Sequence, residues 1–158
     1  MSDALLEALQ PSNYSELARW AERVAKTDFV PQGYRNRPDN IIVAVQYGLE
    51  LGLTIMQSLQ GVAVVNGRPT LYGDAMLAVC QKHPSCEDIN ETPELNEHGH
   101  IVAYICTVRR TGKSPVMRRF SIENAKTAGL WGKTGPWSQY PARMLQMRAR
   151  AFALRDAF

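Results

Sequence analysis

Arg143, Arg148, Arg150 and Arg155 crowd one segment, TGPWSQYPARMLQMRARAFALR, and no acidic residue follows until Asp156. A solvated helix normally mixes signs, so that charges three or four residues apart offset one another. Four like charges among Met, Leu, Ala and Phe repel unless something anionic lies against them. The chemistry that answers this pattern is neutralisation of the phosphates of a polyanion. The alternatives are a solvated basic face or salt bridges to Asp and Glu elsewhere in the chain. At 100° per residue, Leu145, Ala149 and Phe152 cluster within about 60° and form the expected core-facing stripe. Arg148 and Arg155 are then nearly eclipsed on one flank, and Arg143 and Arg150 form a second pair on the other. Long arginine stems can pack on apolar neighbours while their heads reach outward.

Further cations precede this helix. Arg109, Arg110, Lys113, Arg118 and Arg119 fall in an expected hairpin, where alternation sends Arg118 and Arg119 to opposite faces. Lys126 and Lys133 bracket a loop rich in Gly and Trp. Trp131, Trp137 and Tyr140, interleaved with these cations, are candidates to stack bases as single-strand binders do. For Trp137 the preferred reading is a core plug, because Gly135-Pro136 makes the loop rigid and turns it inward. All eleven of these Lys and Arg residues are candidate DNA contacts.

The charge is unevenly distributed along the chain. Residues 1–106 hold 7 Lys/Arg against 13 Asp/Glu, and residues 107–158 hold 11 against 2, so a net charge of +3 hides a basic last third. That third can attract a polyanion, and the acidic remainder can attract a neighbouring copy. No reactive constellation of strength accompanies it. Cys80-x-x-His83-x-x-Cys86 and His98-x-His100 have zinc-ligand residue types without a recognised spacing. A nuclease would need clustered carboxylates to hold Mg²⁺, and the basic third has only Glu123 and Asp156. No GxxxxGK[ST] phosphate loop is present. Binding without cofactor, metal or catalysis is the expectation.

The elements that must position these groups can be read coarsely. With 158 residues, 45% of them apolar, the chain is expected to form one domain with a real core. Residues 1–11 are expected to be a flexible lead-in. A helix should start at Ser12–Asn13 and end near Thr27, with Leu17, Trp20 and Val24 on its apolar stripe. A second helix, capped by Asp39 or Asn40, should close at Gly52, and Thr54 should cap a short third. Residues 62–72 read as a hairpin with a type I′ turn at Asn66-Gly67. Asp74 is expected to cap a helix ending near His83. Residues 86–97 read as a weak strand or loop, and IVAYICTV with SPVMRRF as a second hairpin. Ser121 should cap a helix stopped by Gly129, and the basic helix should begin about Tyr140, with Pro141 in its first turn. The fold class is therefore α+β: small antiparallel hairpins packed with helices, ending in a long basic helix. The pattern stops without a C-cap, so Phe158 is expected to be a truncation boundary. Three cysteines, no long apolar run and no secretion signal point to a reduced, cytoplasmic setting with no membrane.

The block GPWSQYPARMLQMRARAFALRDAF closely resembles the terminal core segment of the RecT/Redβ single-strand annealing proteins of phages and prophages. Upstream, IIVAVQYGLELGLTIMQSLQGVAVVNGRPTLYGDAMLAV looks like that family's helix, hairpin and following helix, and the likeness covers about residues 39–158. It implies an annealing core related to Rad52-like folds and an ATP-independent recombinase. Such a protein binds single-stranded DNA, assembles into rings or filaments, and pairs complementary strands through a duplex intermediate. By matching position the resemblance carries Arg143, Arg148 and Arg155 over as backbone contacts. Where relatives place further basic residues, this chain has Ala142 and Gln146. The family's separate C-terminal region, which engages a phage exonuclease or host single-strand-binding protein, is missing from the chain. Two readings stand beside this one: a metal-dependent DNA-modifying enzyme such as a nuclease, and a self-assembling protein-binding domain with no nucleic-acid role.

Overall fold

A computed structural model describes residues 10–65 and 67–158. The lead-in expected over residues 1–11 thus falls mostly outside the described residues. The chain is α+β, and its described residues form seven α-helices, one two-stranded and one three-stranded antiparallel sheet. They gather into two compact units, the described residues up to Ala75 and residues 76–158.

In the first unit, helix α1 (Tyr14–Val24) starts because Asn13 Oδ1 accepts the Glu16 amide at 3.0 Å. Glu16 reaches back to the Ser12 amide and hydroxyl, both at 2.9 Å. The Ser12 backbone N–H, then its hydroxyl, holds the Glu16 carboxyl below the usual range. Leu17, Trp20 and Val24 line the core, as their spacing predicts. Helix α2 (Pro38–Glu50) starts earlier than expected: Pro38, not Asp39 or Asn40, opens it. Proline suits a first helical position because no intrahelical partner awaits its missing N–H. Asp39 instead lies in the first turn, where a carboxylate meets the positive end of the helix. The helix closes as expected. Gly52 at φ 76° lets the Leu53 and Gly52 amides bond Gly48 and Leu49 carbonyls. Helix α3 (Ile55–Gly61) has a complete capping box between Thr54 and Gln57.

Strands β1 (Val62–Val65) and β2 (Arg68–Leu71) pair antiparallel, with Val65 opposite Arg68 and Gly67 at φ 75°. Asn66, the other half of the expected type I′ turn, lies outside the described residues. Tyr34, from a 3-10 turn at Gln32–Tyr34, donates its hydroxyl to the Val62 carbonyl at 2.6 Å. That buried phenol ties the hairpin to a core of Ile41, Val45 and Leu59.

Helix α4 (Gly73–Lys82) leads into the second unit. There β3 (Cys86–Leu95), β4 (Ile101–Arg110) and β5 (Val116–Ser121) form a sheet in that order. β3 is a full ten-residue strand, firmer than the weak strand or loop the acidic sequence suggested. Its pairing with β4 supplies what local propensity lacked, and Pro93 is tolerated because β3 is an edge. Ser121 and Asn124 form a capping box for α5 (Ile122–Thr127), and Gly129 at φ 62° stops it. Gly135 at φ 96° turns the chain into the single-turn α6 (Pro136–Gln139), which buries Trp137. Helix α7 (Pro141–Ala157) then packs across β4 and β5.

Gly48 allows the close approach of α2 and α3. A Cβ there would stand 2.0 Å from Ser58 Oγ and 3.0 Å from its Cα. Ser58 cannot simply rotate away, since its hydroxyl bonds the Thr54 carbonyl at 2.7 Å. Gly48→Ala should lower stability by about 2 kcal/mol, overpacking outweighing the roughly 1 kcal/mol of helix propensity gained. A lowered urea midpoint would show it.

Candidate nucleic-acid interface

The side of α7 that packs is set by its arginines as much as by its apolar residues. Leu145, Ala149, Arg150, Ala153 and Leu154 are buried, whereas Phe152 is 41% exposed. The packed face is therefore rotated by about 80° from the stripe of Leu145, Ala149 and Phe152 that sequence suggests. Arg150 explains the rotation. Its Nε and Nη2 donate to Glu91 Oε1 and Oε2 at 2.9 and 2.6 Å, with the two side chains only 5% and 15% exposed. Arg150 thus binds β3 and is not available to phosphate.

Other predicted contacts are also engaged within the protein. Register places Glu91, Cys106 and Arg118 in one row, on the sheet face that α7 covers. Arg118 Nε donates to Asp156 Oδ2 at 2.5 Å, joining β5 to the last turn of α7. Arg110 donates Nε to Ser85 Oγ at 2.9 Å and Nη1 to the Ala157 carbonyl, and its guanidinium lies 4.3 Å over the Phe158 ring. It thereby caps the negative end of α7. Arg119 points to the opposite sheet face, as alternation predicts, and grips Glu94 bidentately at 2.8 and 2.7 Å. Those bonds hold the Glu94 carboxyl below its ordinary range.

On the side of α7 away from the sheet lie Arg148, half-buried, and Arg155, exposed. Both lie nearly opposite the buried face, and among the described residues neither donates to a carboxylate. Arg143 is exposed and donates to Gln146 Oε1 at 2.9 Å, among other interactions. It stands in the first turn, which has no acidic residue to meet the positive helix end. Arg109, Lys113, Lys126 and Lys133 are exposed elsewhere on the second unit. That unit carries 12 Lys/Arg against 7 Asp/Glu, and Asp156, the one acid on α7, is taken by Arg118.

The aromatic candidates divide. Trp137 is 8% exposed and plugs the core, so it offers no platform. Trp131 is half-buried after the α5 stop, and Tyr140 is exposed at the start of α7. Phe152, which sequence alone assigned to the core, is the aromatic exposed on α7 itself, beside Arg148 and Arg155.

Among the described residues no three His, Cys, Asp or Glu side chains are grouped to hold a metal ion. His83 Nδ1 meets Ser85 Oγ at 2.8 Å, and its ring packs edge-on to Phe158. Burial pushes the Cys80 and Cys106 thiols from 9.0 up to about 11, Cys86 and Glu91 respectively adding to it. Compared with protein-family models, with curated proteins and with solved structures, the chain matches none of them.

Glu91→Ala should destabilise the second unit by about 3–5 kcal/mol, because it strands a buried guanidinium. Joint replacement, Glu91→Leu with Arg150→Met, should recover most of that loss in chemical denaturation. Cys80 and Cys106 bind protons more tightly folded than unfolded, so their contribution is complete below pH 9 and lost as pH rises towards about 11. Melting temperature should fall through that window, and fall less in Cys106→Ala.

Proposed function

We propose that this protein is an ATP-independent single-strand annealing protein, with the outer face of α7 as its contact to the sugar–phosphate chain. The observation that carries the reading is the division of labour among the arginines. Arg110, Arg118 and Arg150 fasten α7 to the sheet and its own terminus, whereas Arg148 and Arg155 face outward without an acidic partner among the described residues. Two unpaired guanidinium groups about 10 Å apart on a rigid helix are poorly placed for the folded monomer alone and well placed for a polyanion. The resemblance of GPWSQYPARMLQMRARAFALR to the RecT/Redβ annealing proteins supports the same face.

Phosphate neutralisation needs no base-specific contact, so a bound strand keeps its bases available to a second strand. Correct pairing then supplies net stabilisation through stacking, about 1.4 kcal/mol per step, and no nucleotide hydrolysis is required. Adjoining copies of the chain would extend the basic track, the acidic first two-thirds of one meeting the basic last third of the next. Single-stranded DNA and the annealed duplex intermediate are the proposed ligands.

Replacing Arg148 and Arg155 together by Ala removes two phosphate contacts. The slope of log affinity for oligonucleotide against log salt should flatten by about 1.4, and annealing without ATP should fall at least tenfold. Circular dichroism should be unchanged, since neither side chain belongs to the buried set of α7. Wild-type annealing by this double variant would remove these residues from the site. Shortened labelled DNA with Mg²⁺ would favour the nuclease reading instead.

A further inference from the structure

Between the two outward arginines lies an aromatic ring. Phe152 stands four residues after Arg148 and three before Arg155, so the ring lies between the two cations along the axis and about 40–60° to one side of their row around it. Phe152 is 41% exposed. One side of the ring is held. Phe120 of β5, itself 7% exposed, packs against it with centroids 5.9 Å apart and planes tilted by 48°. The ring is thus braced from beneath while part of it faces the surface that Arg148 and Arg155 share.

We propose that Phe152 is a base-stacking platform that makes this face selective for nucleic acid with unstacked, accessible bases. The inference rests on the proposed DNA-binding reading and deepens it by naming the ligand form. Arginines alone would hold any phosphate chain, single-stranded or duplex, base-bearing or not. A braced ring between two phosphate contacts adds a term that only an exposed base can satisfy, because every base has a π face and a paired, stacked base hides it. Bracing by Phe120 keeps the ring ordered before the ligand arrives, so little side-chain freedom is lost on binding.

The test uses the full chain and two probes of equal length: oligo(dT), and an abasic deoxyribose-phosphate oligomer that keeps the phosphates and lacks bases. Phe152→Leu preserves an apolar contact to Phe120 and removes the π face. Its affinity for oligo(dT) should fall about 5- to 100-fold, while affinity for the abasic oligomer and the salt slope stay at wild-type values. Phe152→Trp should restore oligo(dT) binding, and its indole fluorescence should be quenched by oligo(dT) and not by the abasic chain. Wild-type affinity of Phe152→Leu for both probes would overturn the proposal, and so would equal loss for both, which would make the ring structural support only. If the wild-type protein binds neither probe, the DNA-binding reading fails and this inference with it. Binding of both probes equally well by the wild type defeats the stacking inference alone.

Discussion

A buried ion pair, Arg150 with Glu91, decides what the long terminal helix shows to the outside. Two charges taken out of water destabilise a fold unless each finds full hydrogen-bonded compensation. Here both carboxylate oxygens accept from one guanidinium, and among the described residues no buried side-chain nitrogen or oxygen lacks a partner. Because the pair tolerates only one geometry, it selects one rotation of α7 on the sheet. Arg148 and Arg155 then point away from the packed face as a consequence. Arg118 with Asp156, and Arg110 with the Ala157 carbonyl, reinforce that rotation from the far end of the helix.

The same economy of contact appears in the first unit on an apolar scale. Gly48 is required because α2 and α3 approach until Ser58 occupies the space of a Cβ. Gly52 then ends α2, and Thr54 restarts the chain as a helix bent by 110° from it. Tyr34 reaches from the preceding turn to the first strand, so the hairpin does not depend on its own four-residue strands alone. Short two-stranded ribbons are marginal by themselves, and anchorage of this kind stabilises them.

Much of the fold was legible before any coordinates. Asn13, Thr54 and Ser121 are read correctly as caps, because capping is a local exchange between one side chain and an amide two or three residues on. Gly52 and Gly129 mark helix ends for an equally local reason, their positive φ. β3 was less legible, since its acidic, proline-bearing sequence has poor intrinsic strand propensity and pairs only because β4 lies beside it. Trp137 was legible as a plug from the conformation that Gly135-Pro136 imposes.

Sequence by itself determined much of the local alphabet: the caps at Thr54 and Ser121, the stops at Gly52 and Gly129, and that positive charge accumulates in the last third of the chain, while Asp39, Asn40 and Asp74, expected as caps, lie inside their helices. It could not say which arginines are spoken for. Arg150 and Glu91 are separated by 59 positions, Arg118 and Asp156 by 38, and no periodicity connects residues so far apart. Tertiary structure alone made those pairs, turned α7 by about 80° from its apparent apolar stripe, and brought Phe152 to the surface. The physical reason is that a charge far along the chain can outweigh a hydrophobic pattern only after folding has excluded water from between them.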